Sequence, residues 1–380
     1  MRYYIIAGEA SGDLHGSLLI QALRDKDPQA EFRFWGGDRM TALAGTPVRH
    51  IHDLAFMGFV EVLAHLPAVL GNIRFCKQDI AAFRPDVVIG VDYPGFNLKI
   101  EAWAHQQGYK TVHYISPNVW AWKKGRIKGM RRSLDLLCCI LPFEQDFFKE
   151  NHLPQALYVG HPLLDAVETL NTNHLTLNTD KPLIALLPGS RRQELKESLP
   201  KMVQLARRHP EYHFVVAGMN LIGHEFYDTL IAKYSSNQAI KQSSNLEVVY
   251  DQTYPLLASA HAAIVCSGTA TLEAALFNVP QVVCYSGNPL SYLIARAVVG
   301  SRIRYISLVN LIADRPIVTE LIQQDFNPER LEREFQLITG GDNRTRMLAE
   351  YADMRALLGN GGASRRTADA IYNLTLNTKH

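Results

Sequence analysis

Short runs of apolar residues alternate with amphipathic stretches along this chain. The run from Tyr3 to Ala7 predicts a strand, and apolar residues at helical spacing from Leu14 to Leu23 predict the helix that follows. Further buried strands are predicted at Phe32–Trp35, Val87–Val91, Thr111–Ile115, Leu136–Leu141, Leu183–Leu187, Phe214–Ala217, Leu246–Tyr250, Ala262–Cys266 and Gln281–Tyr285. Strands that alternate with helices are typical of a parallel, doubly wound sheet, so we predict an α/β fold.

The pattern restarts once, which indicates two domains. A polar stretch without periodicity at 169–180 is interpreted as a linker. We therefore predict Rossmann-like domains at 1–168 and 181–345 that face a cleft, and a helical segment at 346–380 that packs back across the domains. The length of 380 residues agrees with two domains.

Composition narrows the possible partners. The formal net charge of +2 gives no overall attraction to nucleic acid. The five cysteines form no C-x-x-C pair, which favours reduced, mostly buried thiols in a cytoplasmic protein. No signal peptide is recognised, and the apolar stretch from Leu54 to Cys76 is interrupted by charged residues too often to span a bilayer, which takes about 20 residues.

Two loops in the first half could carry chemistry. Gly8 to Asp13 lies between a strand and a helix start, where free N–H groups favour an anion, although a tight turn without a ligand is the plain alternative. The spacing is not that of a dinucleotide loop. Asp92, directly after a buried strand, could act as a general base or could cap the next helix.

A third segment, from His113 to Trp122, combines aromatic and basic residues. Trp120 and Trp122 are followed by two lysines and an arginine, and rings beside cations suit contacts to sugar and phosphate. Core tryptophans next to a solvated basic loop would give the same pattern.

The second half contains two glycine turns, each between a strand and a helix. Gly189, Ser190 and Arg191 form a predicted diphosphate cradle, in which backbone N–H groups, the helix dipole and a guanidinium face an anion. Ser267, Gly268 and Thr269 repeat this arrangement for a second phosphate. Glu273, one turn into the helix, could accept hydrogen bonds from ribose hydroxyls.

No metal site is predicted. Asp25 and Asp27 formally match a D-x-D motif, but they precede Pro28 in a helix-ending turn and are interpreted as surface charge. His161 lacks partners at ligand spacing, so it is expected either to line the interdomain cleft or to be structural.

Taken in order, these segments resemble the lipid-A-disaccharide synthase family of Gram-negative bacteria. The most specific segments are Phe56 to Leu63 and Ser116 to Trp122. The remaining ones are Gly8 to Asp13, Gly90 to Asn97, Gly160 to Pro162, Leu187 to Arg191, Ser267 to Glu273 and Asn310 to Ala313. After Pro94 some family members carry an acid where this chain has Gly95, so a second acid there is not required.

The resemblance implies a glycosyltransferase-B fold, no cofactor, and inverting transfer of diacylglucosamine from its UDP derivative to diacylglucosamine 1-phosphate. It implies Asp92 as the base, Arg191 as the diphosphate contact, Glu273 as the ribose contact and Asn310 as a donor-site residue. The residues expected on the acceptor side or in the cleft are Glu9, Ser11, Gly12, Asp13, Trp120, Trp122 and His161. Family members can form homodimers, which makes a homodimer an expectation here.

An apolar, basic-rimmed segment could dock to the cytoplasmic surface of the inner membrane, or it could be an ordinary core helix. Its docking side chains would be Phe56, Met57, Phe59, Leu63, Leu66 and Leu70. Two functional alternatives remain at this point. One is a related transferase that uses a UDP-N-acetylhexosamine and a polyprenyl-linked acceptor, and the other is a non-catalytic protein that binds a nucleotide sugar or a lipid.

Overall fold

The computed structural model describes residues 1–53, 66–121, 123–169, 180–234, 245–286 and 304–376. They form two compact units. The first contains residues 1–168 together with 360–380, and the second contains residues 169–359.

The first unit is a parallel sheet with helices between its strands. Its strands are β1 (Arg2–Ala7), β2 (Glu31–Gly36), β3 (Arg49–His50), β4 (Val87–Val91), β5 (Lys110–Tyr114), β6 (Leu136–Cys139) and β7 (Ala156–Tyr158). Its helices are α1 (Ala10–Lys26), α2 (Asp38–Ala44), α3 (Leu66–Phe83), α4 (Pro94–Gln106), α5 (Arg126–Ser133), α6 (Glu144–Glu150) and α7 (Pro162–Thr169), with a 3₁₀ turn at Ile51–Asp53.

The order of strands in this sheet is β3-β2-β1-β4-β5-β6-β7. The order reverses between β1 and β4, which pair in parallel from Tyr3 opposite Val87 to Ala7 opposite Val91. Ligands of doubly wound sheets bind beyond the carboxyl ends of the strands at such a switch point. The loops after β1 and β4, which carry Glu9 and Asp92, therefore lie side by side where a ligand is expected.

The second unit repeats the design. Its strands are β8 (Leu183–Leu187), β9 (His213–Gly218), β10 (Leu246–Tyr250), β11 (Ala262–Cys266), β12 (Gln281–Tyr285) and β13 (Thr319–Ile322). Its helices are α8 (Arg192–Arg208), α9 (His224–Tyr234), α10 (Thr253–Ser259), α11 (Thr269–Leu276), α12 (Leu308–Ala313), α13 (Pro328–Thr339) and α14 (Gly341–Leu358), with a 3₁₀ turn at Gln323–Asp325.

The order of strands in the second sheet is β10-β9-β8-β11-β12-β13. Its switch point lies between β8 and β11, which pair in parallel. The loop after β8 contains Gly189 and the loop after β11 contains Gly268, so the two glycine turns predicted to hold phosphates are neighbours in space. Each unit thus places its candidate residues at its own switch point.

Alternation along β1 explains how the first sheet is buried on both faces. Tyr3 and Ile5 pack in one apolar cluster with Val112 of β5. Tyr4 and Ile6 pack in another with Trp35. Successive side chains of a strand point to opposite faces, so a run of consecutive apolar residues is what a sheet covered by helices on both faces requires.

The C-terminal helix α15 (Ala363–Leu376) packs against the first unit, which confirms that the chain end packs back. Its Ile371 is buried in the same cluster as Tyr3. Its N-terminus is capped by Asp165, whose carboxylate accepts hydrogen bonds from the backbone N–H groups of Ala363 at 3.1 Å and Ser364 at 2.7 Å. Capping of this kind contributes about 1 kcal/mol.

Helix α14 lies wholly in the second unit, so the division expected at residue 346 falls inside a helix. The reason is its packing. Tyr351 is buried against Gln281 of β12, whose amide donates to the tyrosine hydroxyl at 3.2 Å.

The α/β fold class is confirmed, and every strand named from the sequence is present within a few residues of its predicted bounds. Three short strands, β3, β7 and β13, were not predicted. They have only two to four residues and carry polar or half-exposed side chains, so they lack a strand signal. Most of the predicted linker, from 170 to 179, lies outside the described residues.

Candidate active site

Asp92 lies in a strained turn at the carboxyl end of β4. Both Asp92 and Tyr93 adopt left-handed backbone angles, with φ of 48° and 52°. Such angles are unfavourable for a residue like tyrosine and persist only where the surroundings fix them. Two hydrogen bonds hold the backbone of Asp92 in this conformation. The backbone N–H of Asp92 donates to the carbonyl of Tyr114 at 2.8 Å, and the amide of Asn97 donates to the carbonyl of Asp92 at 2.7 Å.

The surroundings of Asp92 favour its protonated form. Burial raises the pKa of the Asp92 carboxyl, and the charge of Glu9 raises it further, whereas His113 and the backbone N–H of Tyr93 act in the opposite direction. A general base works best when its pKa is closer to the working pH than that of a free carboxylate. The side chain is partly exposed to solvent, so a substrate hydroxyl could reach it.

Tyr93 also closes on the first glycine of the β1–α1 loop. A Cβ atom placed on Gly8 would lie 2.5 Å from the Tyr93 ring, which is far inside van der Waals contact. This glycine is therefore required by the close approach of the two loops at the switch point.

A buried acid–base pair lies beneath this turn. Nδ1 of His113 on β5 is 2.8 Å from Oε1 of Glu101 on α4, and neither side chain is exposed. Burial lowers the pKa of His113, but the charge and hydrogen bond of Glu101 and the charge of Asp92 outweigh it, so the net shift is upward. No periodic or motif signal in the sequence points to Glu101, and the available hint is a glutamate on the buried face of a helix.

A second buried carboxylate organises the segment from Ser116 to Trp120. Oε2 of Glu144 accepts hydrogen bonds from the Ser116 hydroxyl at 2.7 Å and from the backbone N–H of Leu141 at 2.9 Å. Its Oε1 accepts from the indole N–H of Trp120 at 3.1 Å. Trp120 also meets Phe143 edge to face at 5.1 Å. Glu144 was not predicted as a site residue, and Trp122 lies outside the described residues.

The residues expected on the acceptor side divide into two groups. Glu9 and Ser11 are exposed at the start of α1, where the N-terminal N–H groups of the helix lie. Gly12 and Asp13 are buried. The carboxylate of Asp13 accepts hydrogen bonds from the backbone N–H groups of Gly37 at 2.7 Å, Arg39 at 3.0 Å and Met40 at 3.1 Å. These contacts give Asp13 a structural role at the start of α2.

His161 is also buried, only 2% exposed, and lies near His15. Burial lowers the pKa of His161 to about 3, and the charge of His15 contributes. Burial lowers the pKa of His15 to about 4, against the opposing charge of Asp165. Both imidazoles are therefore neutral near pH 7, and the structure supports a packing role for His161 within the first unit.

The loop after β8 has the geometry of a helix-start anion site, with one acidic side chain already in place. Gly189 has a φ of 113°, which favours glycine, and a Cβ there would lie 2.5 Å from Oε2 of Glu194. The same Oε2 accepts a hydrogen bond from the backbone N–H of Ser190 at 3.0 Å. The side chain of Arg191 is 68% exposed, and its guanidinium is 3.7 Å from Oε1 of Glu194. Its donors are thus accessible to an anion.

The loop after β11 leaves its helix start open. Gly268 has a φ of 152° and precedes α11, and within the described ranges no side chain caps this helix. Ser267 donates from its hydroxyl to the carbonyl of Ile306 at 3.3 Å. Uncapped N–H groups at a helix start favour an anion, so Ser267, Gly268 and Thr269 present a suitable site for a phosphate.

Glu273 lies one turn into α11 and is half-buried. The hydroxyl of Tyr254 donates to its Oε1 at 3.1 Å. Burial raises the pKa of Glu273 to about 7, against the opposing hydrogen bond from Tyr254. The residue is partly exposed, which is compatible with a contact to ribose hydroxyls.

Asn310 is occupied by its own unit. Its Nδ2 donates to the carbonyl of Val318 and to Glu320, both at 2.9 Å, and its Oδ1 accepts from the backbone N–H groups of Ile317 at 2.8 Å and Val318 at 2.9 Å. These bonds use the full capacity of the amide. The side chain is 1% exposed, so it supports the loop before β13 and leaves no group for a ligand.

Glu320 of β13 holds Asn310 and the residues that precede α12. Its two oxygens accept hydrogen bonds from the backbone N–H groups of Ile306 and Ser307, both at 2.9 Å, and from the Ser307 hydroxyl at 2.8 Å. The sequence did not reveal it, because β13 itself was not predicted.

In the part of the chain that the structure describes, no group of three or more His, Cys, Asp or Glu side chains could hold a metal ion. All five cysteines are buried and unpaired, as expected. None of the described helices is long and apolar enough to cross a membrane. Of the predicted docking residues, Phe56, Met57, Phe59 and Leu63, and the side chain of Leu66, lie outside the described residues.

Comparison with known proteins gives a family and a fold. The model of the lipid-A-disaccharide synthetase family matches residues 3–370. The lipid-A-disaccharide synthase of Chromohalobacter salexigens is 37% identical, over 99% of this chain and 97% of that protein. That of Acidobacterium capsulatum is 38% identical, over 95% of this chain and 92% of that protein.

A solved structure, the UDP-GlcNAc 2-epimerase of Neisseria meningitidis bound to UDP-GlcNAc, covers 98% of this chain and 100% of its own at 12% identity, with a TM-score of 0.70. At that identity the likeness concerns the fold alone, which is the glycosyltransferase-B fold expected from the sequence. The match of the family model over nearly the whole length, together with relatives above 30% identity, shows that this chain belongs to the lipid-A-disaccharide synthetase family.

Proposed function

We propose that this chain is an inverting glycosyltransferase that condenses UDP-2,3-diacylglucosamine with 2,3-diacylglucosamine 1-phosphate, giving the β-1,6-linked disaccharide 1-phosphate and UDP. The observation that carries the proposal is the placement of Asp92 at the switch point of the first sheet, in a chain of this family. None of the structural observations favours the polyprenyl-acceptor or the non-catalytic alternative.

In the proposed mechanism Asp92 accepts the proton of the acceptor 6-hydroxyl. The oxygen then attacks the anomeric carbon of the donor from the face opposite UDP, the bond from that carbon to the diphosphate breaks, and UDP leaves with the electron pair. The raised pKa of Asp92 makes its carboxylate a stronger base than a free aspartate. General bases contribute roughly 10²–10⁴-fold to a rate.

The leaving diphosphate gains negative charge, which the second unit is built to stabilise. The exposed guanidinium of Arg191 and the N-terminus of α11 after Gly268 supply donors, and the N-terminus of α8 supplies more once a phosphate displaces Glu194 from Ser190. Preorganised donors of this kind are often the largest single contribution to catalysis. We assign to Glu273 the role of accepting hydrogen bonds from the ribose hydroxyls.

The acceptor side is assigned to the exposed start of α1 and to the segment fixed by Glu144. Glu9 and Ser11 are exposed, and Trp120 is held by its bond to Glu144. A fixed indole next to a sugar site gives a stacking surface without an ordering cost on binding. Gly12 lets the start of α1 approach Ala7, whose Cβ would lie 3.3 Å from a Cβ added at Gly12, and Asp13 and His161 support the site from the core.

The decisive experiment measures UDP release from the diacylated donor, with and without diacylglucosamine 1-phosphate. We expect acceptor-dependent release in the intact chain and a loss of roughly 10²–10⁴-fold in Asp92→Asn, which preserves the shape of the side chain. Asp38→Asn is the matched control, because Asp38 is an aspartate of the same unit whose side chain is 89% exposed.

Each outcome separates the possibilities. Full activity in Asp92→Asn would move the base elsewhere, and Glu9→Gln would then be the next variant. Activity only with an unacylated sugar nucleotide and a polyprenyl acceptor would replace the proposed substrates. UDP binding without turnover, unchanged in Asp92→Asn, would refute catalysis.

We also propose that the segment around the start of α3 docks to the inner-membrane surface from the cytoplasmic side. The support among described residues is Leu70, which is 56% exposed, with Arg74 exposed one turn further along the same helix. An apolar side chain with a basic neighbour suits an interface that contains anionic lipid. The substrates carry acyl chains, so access to a membrane surface would bring them to the enzyme.

Co-sedimentation with liposomes that contain anionic lipid tests the docking proposal. Leu70→Ser, alone and combined with Phe59→Ser, should reduce binding without changing the unfolding temperature. Leu357→Ser is the control, because Leu357 is similarly exposed at 52% but lies on α14 of the second unit. Equal binding of all variants would refute docking through this segment. The homodimer stays a prediction, which light scattering of the purified protein can check.

A further inference from the structure

The buried pair of Glu101 and His113 has no part in the mechanism described so far. Complete burial of two ionisable groups costs free energy, which their attraction offsets only with good geometry. The pair therefore calls for a reason beyond packing, and its position beneath Asp92 provides one.

The sheet is shaped to let these two side chains meet. His113 on β5 lies opposite Gly90 on β4 in the parallel register. A Cβ atom on Gly90 would overlap with Oε1 of Glu101 and would lie 2.9 Å from Cβ of Asn97. The absence of a side chain at Gly90 thus opens the passage through which Glu101, on α4, reaches across β4 to His113.

The same elements fix Asp92. Asp92 follows Gly90 by two residues on β4, and Asn97, which holds its carbonyl, lies one helical turn before Glu101 on α4. Any shift of β4 or α4 that separated the pair would therefore also disturb the Asp92 turn. Geometry couples the pair to the proposed base.

Beyond its hydrogen bond to Glu101, His113 interacts with the charge of Asp92. Within the described residues its Nε2 has no hydrogen-bond partner, and neither does Oε2 of Glu101. The charged groups that act on His113 are Glu101, Asp92 and, in opposition, Arg126; those that act on Asp92 are His113 and Glu9. An imidazolium at His113 would therefore be held by the negative charge of Glu101 and would stabilise the negative charge of Asp92.

We propose that Glu101 keeps His113 protonated, and that this buried imidazolium keeps the Asp92 carboxylate ionised and ready to accept the acceptor's proton. Glu101 and His113 are positioning residues, since they act through Asp92. The proposal rests on the proposed function, in which Asp92 is the base.

The charge of His113 opposes the two influences that protonate Asp92. Burial and Glu9 push Asp92 toward the protonated form, in which it cannot act as a base, and His113 pushes it back. Without the imidazolium, a higher pH is needed to ionise Asp92. A change of one pH unit in the midpoint corresponds to about a tenfold loss of activity on the acidic side, and to no loss at high pH.

The first test is the pH profile of kcat/KM for acceptor-dependent UDP release. We expect the acidic limb to move upward by about one pH unit in Glu101→Gln and in His113→Asn, with activity recovered at high pH. The double variant should shift no further than the single ones, because both remove the same imidazolium. Asp135→Asn is the control. It removes a carboxylate that contacts β5 at Thr111, 2.9 Å from its N–H, and should leave the limb in place.

The second test does not depend on activity. Nitrogen-15 NMR of labelled histidine should show His113 as an imidazolium at pH 7 in the intact chain and as neutral imidazole in Glu101→Gln. This isosteric change is the variant least prone to misfold, and thermal unfolding checks it. A neutral His113 in the intact chain would overturn the proposal, as would variants that lose activity equally at every pH.

The two proposals fail in distinguishable ways. Turnover that depends on Asp92 but has an acidic limb unmoved in the pair variants would overturn this inference and leave the proposed function standing. Turnover that survives in Asp92→Asn would overturn the assignment of the base, whatever the NMR spectrum of His113 shows.

Discussion

The hydroxyl of Tyr254 donates a hydrogen bond at 3.1 Å to Oε1 of Glu273, which lies one turn into α11. Burial raises the pKa of Glu273 to about 7, and the tyrosine bond opposes that rise because it stabilises the carboxylate. A residue proposed to contact ribose therefore changes its charge near neutral pH, and its ability to accept two hydroxyl hydrogen bonds changes with it.

We expect the affinity for UDP to fall as the pH drops through about 7, because only the ionised Glu273 is a full acceptor. Calorimetric titration with UDP between about pH 5.5 and about pH 8.5, a range that brackets the pKa of Glu273, measures this change in affinity. Glu273→Gln should lose this dependence and keep only the dependence due to UDP itself. Tyr254→Phe should move the transition to higher pH, since it removes the bond that lowers the pKa. Identical pH dependence in the intact chain and in Glu273→Gln would contradict the ribose contact.

A methyl group at Gly8 should damage activity more than stability. The added Cβ would lie 2.5 Å from the Tyr93 ring, so the ring and the neighbouring Asp92 must move. A displacement of about 1 Å at a catalytic group can cost roughly 10²-fold in rate, whereas overpacking costs about 1–3 kcal/mol of stability. We expect kcat/KM for UDP release in Gly8→Ala to fall by roughly that factor.

The control for this change is Gly129→Ala in α5, where a Cβ would meet nothing within 4 Å. It should retain full activity and gain a little stability, because alanine is about 1 kcal/mol better than glycine inside a helix. If Gly8→Ala kept full activity, the Tyr93–Asp92 turn would not need its observed position.

The sequence predicts the positions of loops better than the partners of side chains. The two glycine turns of the second half follow buried strands, and parallel strands with a switch point bring such loops together, so their proximity follows from the pattern alone. The identity of the buried partners does not follow from it. Glu101 pairs with His113, Glu144 with Ser116 and Glu320 with Ser307, each partner being distant in sequence, and no local periodicity encodes those contacts.

For Asn310 and Asp13, the sequence predicts a position near a ligand but not the partners of the side chain. Both lie in segments shared with a known family, and both were expected near a ligand. In the structure the amide of Asn310 and the carboxylate of Asp13 are used by backbone groups of neighbouring segments. A motif identifies a loop that matters, but whether a polar residue binds a ligand or shapes the loop depends on tertiary contacts.

Replacing Asp13 should therefore reduce stability rather than remove a base. Asp13→Ala deletes the acceptor for three backbone N–H groups at the start of α2, which should cost about 1–2 kcal/mol of the free energy of unfolding. Urea unfolding measures the cost. At a temperature where the variant is folded, its UDP release should fall far less than that of Asp92→Asn. A collapse of activity with unchanged stability would instead make Asp13 a catalytic residue.

The positive groups of the second unit predict how the reaction responds to removal of metal ions. The exposed guanidinium of Arg191 and the helix start after Gly268 offer positive charge and N–H donors to a departing diphosphate, which is the role a divalent cation plays in other transferases. We expect EDTA to leave kcat unchanged. Arg191→Ala should lower kcat by roughly 10²–10³-fold, the cost of losing one preorganised donor to developing charge. Added Mg²⁺ should not restore it. Strong inhibition by EDTA, reversed by one particular cation, would instead assign the neutralising charge to a metal ion and reduce Arg191 to an auxiliary contact.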